Sequence, residues 1–308
     1  MSLTISLIGT SGMWWPVHYA GRYTGVTLSE GGVQGLLDSP VETQWVEDTE
    51  MGVVFGGIRY LPRDMTLGFY LDDAAGGEAE IGRLESDFRM DFAAQPDEWD
   101  DDFQHTQVVV ESELSGERRL TMQMREAPEL KTERDPYTQQ FYDVTYELRA
   151  PMPLWDSGKQ VAVFEGSGTS GSGTILVSNP TDTPMRHTWV LTRGQWTLPD
   201  PSWRGKKGHR APAGPYASRT LPLPLITADD QGVRITRERR KLVAMTFTGS
   251  NFQGRMDGKF LMHDIPPYTP PTLLPISYTN APAGGARAEL HQPRLWTRPV
   301  GLELAGLS

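Results

Sequence analysis

The tract Gly166-Ser167-Gly168-Thr169-Ser170-Gly171 has the glycine spacing of a loop that cradles a dinucleotide pyrophosphate, and Val161-Ala162-Val163-Phe164 could supply the preceding strand. That chemistry also requires a helix N-terminus after the loop, where backbone N–H groups converge on the phosphates. Here Thr174-Ile175-Leu176-Val177 has the pattern of a strand and Asn179-Pro180 that of a turn, so a flexible Gly/Ser loop is expected and no cofactor. No serine in the tract has glycines two residues away on both sides, which removes the strained elbow of an esterase nucleophile. The run Asp97-Glu98-Trp99-Asp100-Asp101-Asp102 offers oxygens to a hard cation, but it lacks the spacing and the turn glycine of a calcium loop. A solvated loop or a subunit contact is the expected role. The six histidines are dispersed, with no H-x-x-H or H-E-x-x-H pair, and His187 and His263 lie in strand-like surroundings that suit structural histidines. Cysteine is absent, which excludes disulfides, thiolate metal sites and thiol nucleophiles together. A glycosidase carboxylate pair meets only in three dimensions and leaves no linear signature. No catalytic residue and no metal ligand is assigned, and the chain is expected not to be an enzyme.

Binding has more support than catalysis. Trp189 and Trp196 could present aromatic faces to a pyranose, although alternation along a strand buries every second residue. Trp189 is expected in the core, and Trp196 is the better platform. The basic loop from Trp203 to Arg210, with Arg204, Lys206 and Lys207, and the run Arg234 to Lys241 could meet an acidic glycan or an acidic neighbour. Trp196, Trp203, Arg204, Lys206 and Lys207 form the candidate contact set.

The elements that must carry these residues are mostly strands. Leu3 to Leu7 alternates at period two, and further strands are expected at Met51 to Tyr60, Met65 to Leu71, Thr106 to Glu113, Arg119 to Arg125 and Phe141 to Arg149. Ser115-Gly116 marks a hairpin, since glycine supplies the positive φ of a tight turn. Ile81, Leu84, Phe88 and Phe92 recur at spacings of three and four with charges between them, which predicts one helix. A strand using Phe88, Met90 and Phe92 is the competing pattern.

Around Pro151-Met152-Pro153-Leu154-Trp155 the prolines interrupt any ladder, and a boundary is placed between residues 155 and 156. Beyond it short strands are expected at Gln160 to Glu165, Thr174 to Ser178, Thr188 to Arg193, Gly232 to Thr236, Leu242 to Thr248, Lys259 to His263, Leu274 to Tyr278 and Ala286 to Leu290. Regular turns between them point to a sandwich or jelly-roll.

A chain of 308 residues suits two domains, and 38% hydrophobic residues are enough to build their cores. No apolar run approaches the roughly 20 residues that cross a bilayer, and the N-terminus lacks a basic leader, so a soluble protein made in a cytoplasm is expected. Charge is unevenly divided: residues 1–150 hold 11 Lys and Arg against 28 Asp and Glu, a net of −17, and the remainder holds 18 against 11, a net of +7. Opposite halves suit complementary contacts between domains or subunits. The basic residues lack interleaved stacking aromatics, so nucleic-acid binding is not expected.

Several segments in order resemble a known family. They are Gly57-Ile58-Arg59-Tyr60-Leu61-Pro62-Arg63-Asp64-Met65-Thr66-Leu67, then Glu85-Ser86-Asp87-Phe88-Arg89, Gly116-Glu117-Arg118-Arg119-Leu120 and the Ala150-to-Trp155 junction. In the second half the turn Val177-Ser178-Asn179-Pro180-Thr181-Asp182-Thr183-Pro184 and the close Pro293-Arg294-Leu295-Trp296-Thr297-Arg298-Pro299-Val300-Gly301 complete the set. The turn departs from the family at Pro180-Thr181, and Val300 stands where an aromatic is commoner. This order is similar to the distal tail proteins of long, flexible-tailed phages, in the form known as minor tail proteins in phages of actinobacteria. The resemblance implies a mainly β protein: an N-terminal ring-forming (belt) β domain, 1–155, with one short helix, and a C-terminal galectin-like or jelly-roll β-sandwich, 156–308. It implies a virion structural protein of the tail tip, closing into a homohexameric ring. Implied partners are the tail tube protein, the tape-measure end, the tail-associated tip protein and receptor-binding proteins. A host-surface glycan-binding module is the alternative, resting on the Trp196 and Trp203 set.

Overall fold

The computed structural model describes residues 3–19, 23–47, 51–72, 78–131, 135–238 and 241–306. The chain forms two compact units, Met1–Ser157 with Thr297–Gly301, and Gly158–Trp296 with Leu302–Ser308. Five residues near the C-terminus thus belong with the first unit.

Unit 1 contains β1 (Thr4–Ile8), β2 (Trp14–His18), β3 (Val26–Gln34), β4 (Val41–Glu47), β5 (Val53–Tyr60), β6 (Arg63–Asp72), α1 (Glu78–Met90), β7 (Gln107–Ser112), β8 (Gly116–Thr121), β9 (Gln123–Met124), β10 (Glu129–Leu130), α2 (Pro136–Gln139) and β11 (Phe141–Ala150). One antiparallel sheet runs β2-β1-β7-β8 and a second runs β10-β11-β6-β3, with β9 also on β11. The β7–β8 hairpin turns where Gly116 takes φ +65°, as its sequence predicts. The predicted helix is α1, and its apolar stripe explains its position. Phe88 meets Trp15 of the first sheet at 5.2 Å and Phe69 of the second at 5.0 Å, while Phe92 stacks on Tyr146 at 4.2 Å. Just past the helix, buried Asp91 accepts a 2.5 Å hydrogen bond from the Trp15 indole and one of 3.0 Å from Ser11 N. That carboxylate ties the helix end to the first sheet.

Two buried arginines hold the returning C-terminal segment. Arg118 of β8 donates to the carbonyls of Arg298, at 2.8 Å, and Gly301, at 3.1 Å. Arg63 at the start of β6 donates to Thr297 O at 3.0 Å.

A strand β12 (Trp155–Gly166) begins in unit 1, where Asp156 is opposite Arg119, and continues in unit 2. Unit 2 adds β13 (Gly171–Asn179), β14 (Thr188–Leu191), β15 (Gln195–Pro199), β16 (Trp203–Arg204), β17 (Ala211–Pro212), β18 (Thr220–Pro222), β19 (Val233–Thr236), β20 (Ala244–Thr246), β21 (Thr269–Thr279) and β22 (Ala286–Trp296). Within this unit one sheet runs β12-β22-β14-β19-β20 and another β13-β21-β15-β18. Their side chains share one core, with Trp189, Leu191, Ile235 and Leu290 from the first and Ile175, Trp196, Leu198, Ile276 and Tyr278 from the second. The Asn179-to-Pro184 turn is fixed by its asparagine, whose fully buried amide donates to the carbonyls of Thr183, Ile265 and Pro266 at 2.9–3.0 Å.

Lys259 to His263 is not a strand. The N–H groups of Met262 and His263, which a ladder would use, donate to the buried carboxylate of Asp200 at 2.8 and 3.0 Å. The Gly/Ser tract is loop only between residues 166 and 171, because Gly166 ends β12 and Gly171 opens β13. Both glycines lie against Tyr278, where a Cβ would stand 2.5 and 2.8 Å from the ring, and the Tyr278 hydroxyl donates to Gly168 O at 3.2 Å. Their spacing serves the seating of a tyrosine, which needs backbone without side chains.

Candidate functional site

The most conspicuous surface is the hairpin of β4 and β5, which pairs with no other strand among the described residues. Its register places Val41 opposite Tyr60, Thr43 opposite Ile58, Trp45 opposite Phe55 and Val46 opposite Val54, with a shift after Gln44. Successive strand residues point to opposite faces, so Val53 and Phe55 project from one side and Val54 from the other. All are exposed: Trp45 59%, Val46 59%, Val53 57%, Val54 55%, Phe55 56% and Ile58 53%. Trp45 and Phe55 meet edge to face at 5.8 Å. A two-stranded hairpin is marginal alone, and this one leaves apolar side chains exposed on both of its faces.

What fixes the hairpin is its root. Leu61 N donates to Pro40 O at 3.0 Å, closing the strand pair, and Ser39 N donates to Thr297 O at 3.1 Å. Beneath it lies Arg63, 1% exposed, whose guanidinium donates to the carbonyls of Gly35 and Leu36 at 2.8 and 2.9 Å, to Ser39 Oγ at 2.8 Å and to Pro153 O at 3.1 Å. One planar fork thereby joins the segment leading into β4, the chain before β12 and the C-terminal return. Burial lowers its pKa to about 10, the nearby Asp38 carboxylate partly opposing the shift, and the carbonyl cage replaces the water that the cation has lost.

The expected contact set is not brought together as an aromatic platform. Trp196 is fully buried; its indole donates to Thr192 O at 2.9 Å, and its ring packs on Tyr278 with centroids 5.1 Å apart. It is a core residue of β15, so the reading of it as a sugar-stacking ring is corrected. Trp203 is half-buried against the same core. Arg204, Lys206 and Lys207 are exposed, with the Lys207 ammonium 4.9 Å above the Tyr268 ring. His187 is buried and His263 Nδ1 lies 2.9 Å from Asp200 O, so both are built into unit 2. Among the described residues no three His, Cys, Asp or Glu side chains are grouped to hold a metal ion. Of the run Arg234 to Lys241, Arg239 and Arg240 lie outside the described residues.

The sequence reading found β5 but not β4, and it missed Arg63. A run such as Val53-Val54-Phe55 with no polar alternation is the signal that both faces of a strand are apolar, here on a strand with no sheet to cover it.

The architecture has a counterpart among solved structures. The crystal structure of SPP1 Dit, described as a paradigm of the hub adsorption apparatus in phages infecting Gram-positive hosts, superposes with a TM-score of 0.54 at 10% identity, over 95% of this chain and 99% of that one. This chain has the fold of SPP1 Dit. A chain of the phage P2 baseplate in its activated, Ca-containing conformation matches at a TM-score of 0.45 and 9% identity, over 96% and 98% of the two chains. No protein-family model matches the chain, and no curated protein matches it in sequence. The match to Dit covers residues of both units.

Proposed function

We propose that the chain is a structural virion protein, the hub of a phage tail tip, which closes into a ring of copies and joins the tail tube and tape-measure end to the tip and receptor-binding proteins. The Dit fold along nearly the full length supports the hub role. The observation that carries self-assembly is the β4–β5 hairpin, an apolar arm with a hydrogen-bonded root and no covering strand among the described residues. A ring uses a heterologous contact, one patch on a different patch of the neighbour, and a projecting arm suits that geometry. Nothing favours the saccharide reading over this one, since its platform residue Trp196 is in the core.

The test is a pair of hairpin variants, Trp45→Ser and Phe55→Ser, assayed by sedimentation and by circular dichroism. Both side chains are exposed in the single chain, so the fold is expected to persist while higher oligomers disappear. Oligomers that survive both substitutions would remove the arm from the assembly.

A further inference from the structure

The acidic loop and the basic half of the chain carry a second contact. Residues 97–102 form two successive turns, in which Trp99 N donates to Asp97 Oδ1 and Asp102 N to Asp100 Oδ1, each at 3.0 Å. These turns hold Trp99 outward at 91% exposure, the most exposed large apolar side chain among the described residues. Five carboxylates surround it, and none is in an ion pair among the described residues. A bare indole costs free energy in water and is among the side chains that dominate interfaces once buried.

Unit 2 offers the complement. Beside β19 and the edge strand β20 is a hollow of about 590 Å³, whose lining includes Arg234, Lys241, Leu242, Met245 and Phe247. Leu242 and Phe247 are 55% and 49% exposed, so apolar side chains are open to solvent in its lining among the described residues. Arg234 has no ion-pair partner among the described residues, and Lys241 meets only Glu238. The volume lies in the range that binding pockets use, ample for an indole.

We infer that the Trp99 loop of one copy seats in the hollow beside β19 and β20 of a neighbouring copy. The indole covers Leu242 and Phe247, and the flanking carboxylates face Arg234 and Lys241. The inference rests on the ring-forming reading and names a second interface within it, separate from the hairpin. Charge complementarity selects the occupant, because the knob comes from the half of net −17 and the hollow from the half of net +7.

The absence of cysteine makes the test clean, because introduced thiols are the only ones present. Full-length Gln95→Cys and Ser250→Cys chains, changed beside the knob and beside the hollow, are mixed and treated with a short bismaleimide, with Gln95→Cys plus Lys159→Cys as the control mixture. A covalent dimer specific to the first mixture is expected, falling about tenfold when Trp99→Ala is added to the Gln95→Cys chain. Native mass analysis of the same untreated samples reports ring formation independently. Rings without the specific cross-link overturn this contact and leave the hub reading standing. A specific dimer without rings supports the contact and counts against the hub. A dimer unchanged by Trp99→Ala also overturns the inference.

Discussion

Arg63 takes a positive charge into the interior of unit 1 with carbonyl and hydroxyl oxygens as its hydrogen-bond partners. Truncating it would take the charged donor from the carbonyls of Gly35 and Leu36 and leave Pro153 O and Thr297 O with Ser39 as their donor, a larger loss than one surface ion pair. Arg63→Met is therefore expected to destabilise unit 1 by about 3–5 kcal/mol in urea titration, and Arg63→Lys to recover only part of it, since an ammonium cannot reach the same fork of acceptors. An unchanged midpoint in both would refute the staple. His187 is the second residue with a readable consequence. Burial, reinforced by Arg237 and opposed by Asp264, pushes its pKa down to about 4. The unfolded imidazole titrates near 6.5, so between that pH and about 4 the unfolded chain takes up a proton that the folded chain refuses. Stability of unit 2 is thus expected to fall as pH falls through that window, and His187→Gln to flatten the slope in thermal melts at pH 7 and pH 5. Parallel slopes in the two proteins would show that other groups govern the acid limb.

At the scale of elements, the glycine tract and the hairpin behave in opposite ways. Gly171→Ala places a methyl group against the Tyr278 ring and is expected to cost about 1–3 kcal/mol, measurable as a lowered melting temperature, whereas a flexible loop would tolerate it. The helix α1 was legible because Ile81 and Phe88 within it, and Phe92 just past its end, are buried at helical spacing. The β7–β8 hairpin was legible from Ser115-Gly116 for the same local reason. Trp196 was not, because a strand's period fixes which residues share a face but not which face is inward. In β15 the face with Trp196 and Leu198 is the buried one. Strand β4 escaped because Val41-Glu42-Thr43-Gln44-Trp45-Val46-Glu47 has no regular alternation, as expected of a strand exposed on both faces. Lys259 to His263 was misread because its partner is a side chain, Asp200, some sixty residues away in sequence, and no local pattern records it. Arg63 and Arg118 share that cause: their acceptors are backbone oxygens, with Ser39 Oγ the one side-chain oxygen named for Arg63, and backbone oxygens leave no residue-type signal.

For the whole molecule, the uneven charge has a testable meaning in assembly. Contacts between an acidic patch and a basic one are screened by salt, so assemblies are expected to loosen as ionic strength rises, while a purely apolar interface would hold or tighten. Sedimentation across a salt series separates these behaviours. The central claim, that the chain is a ring-forming hub built on the Dit fold, is tested most directly by native mass analysis with negative-stain imaging of the purified protein at high concentration. Closed six-fold rings bearing peripheral lobes are the result expected. A protein that stays monomeric at every concentration, or stops at a two-fold dimer, would contradict it.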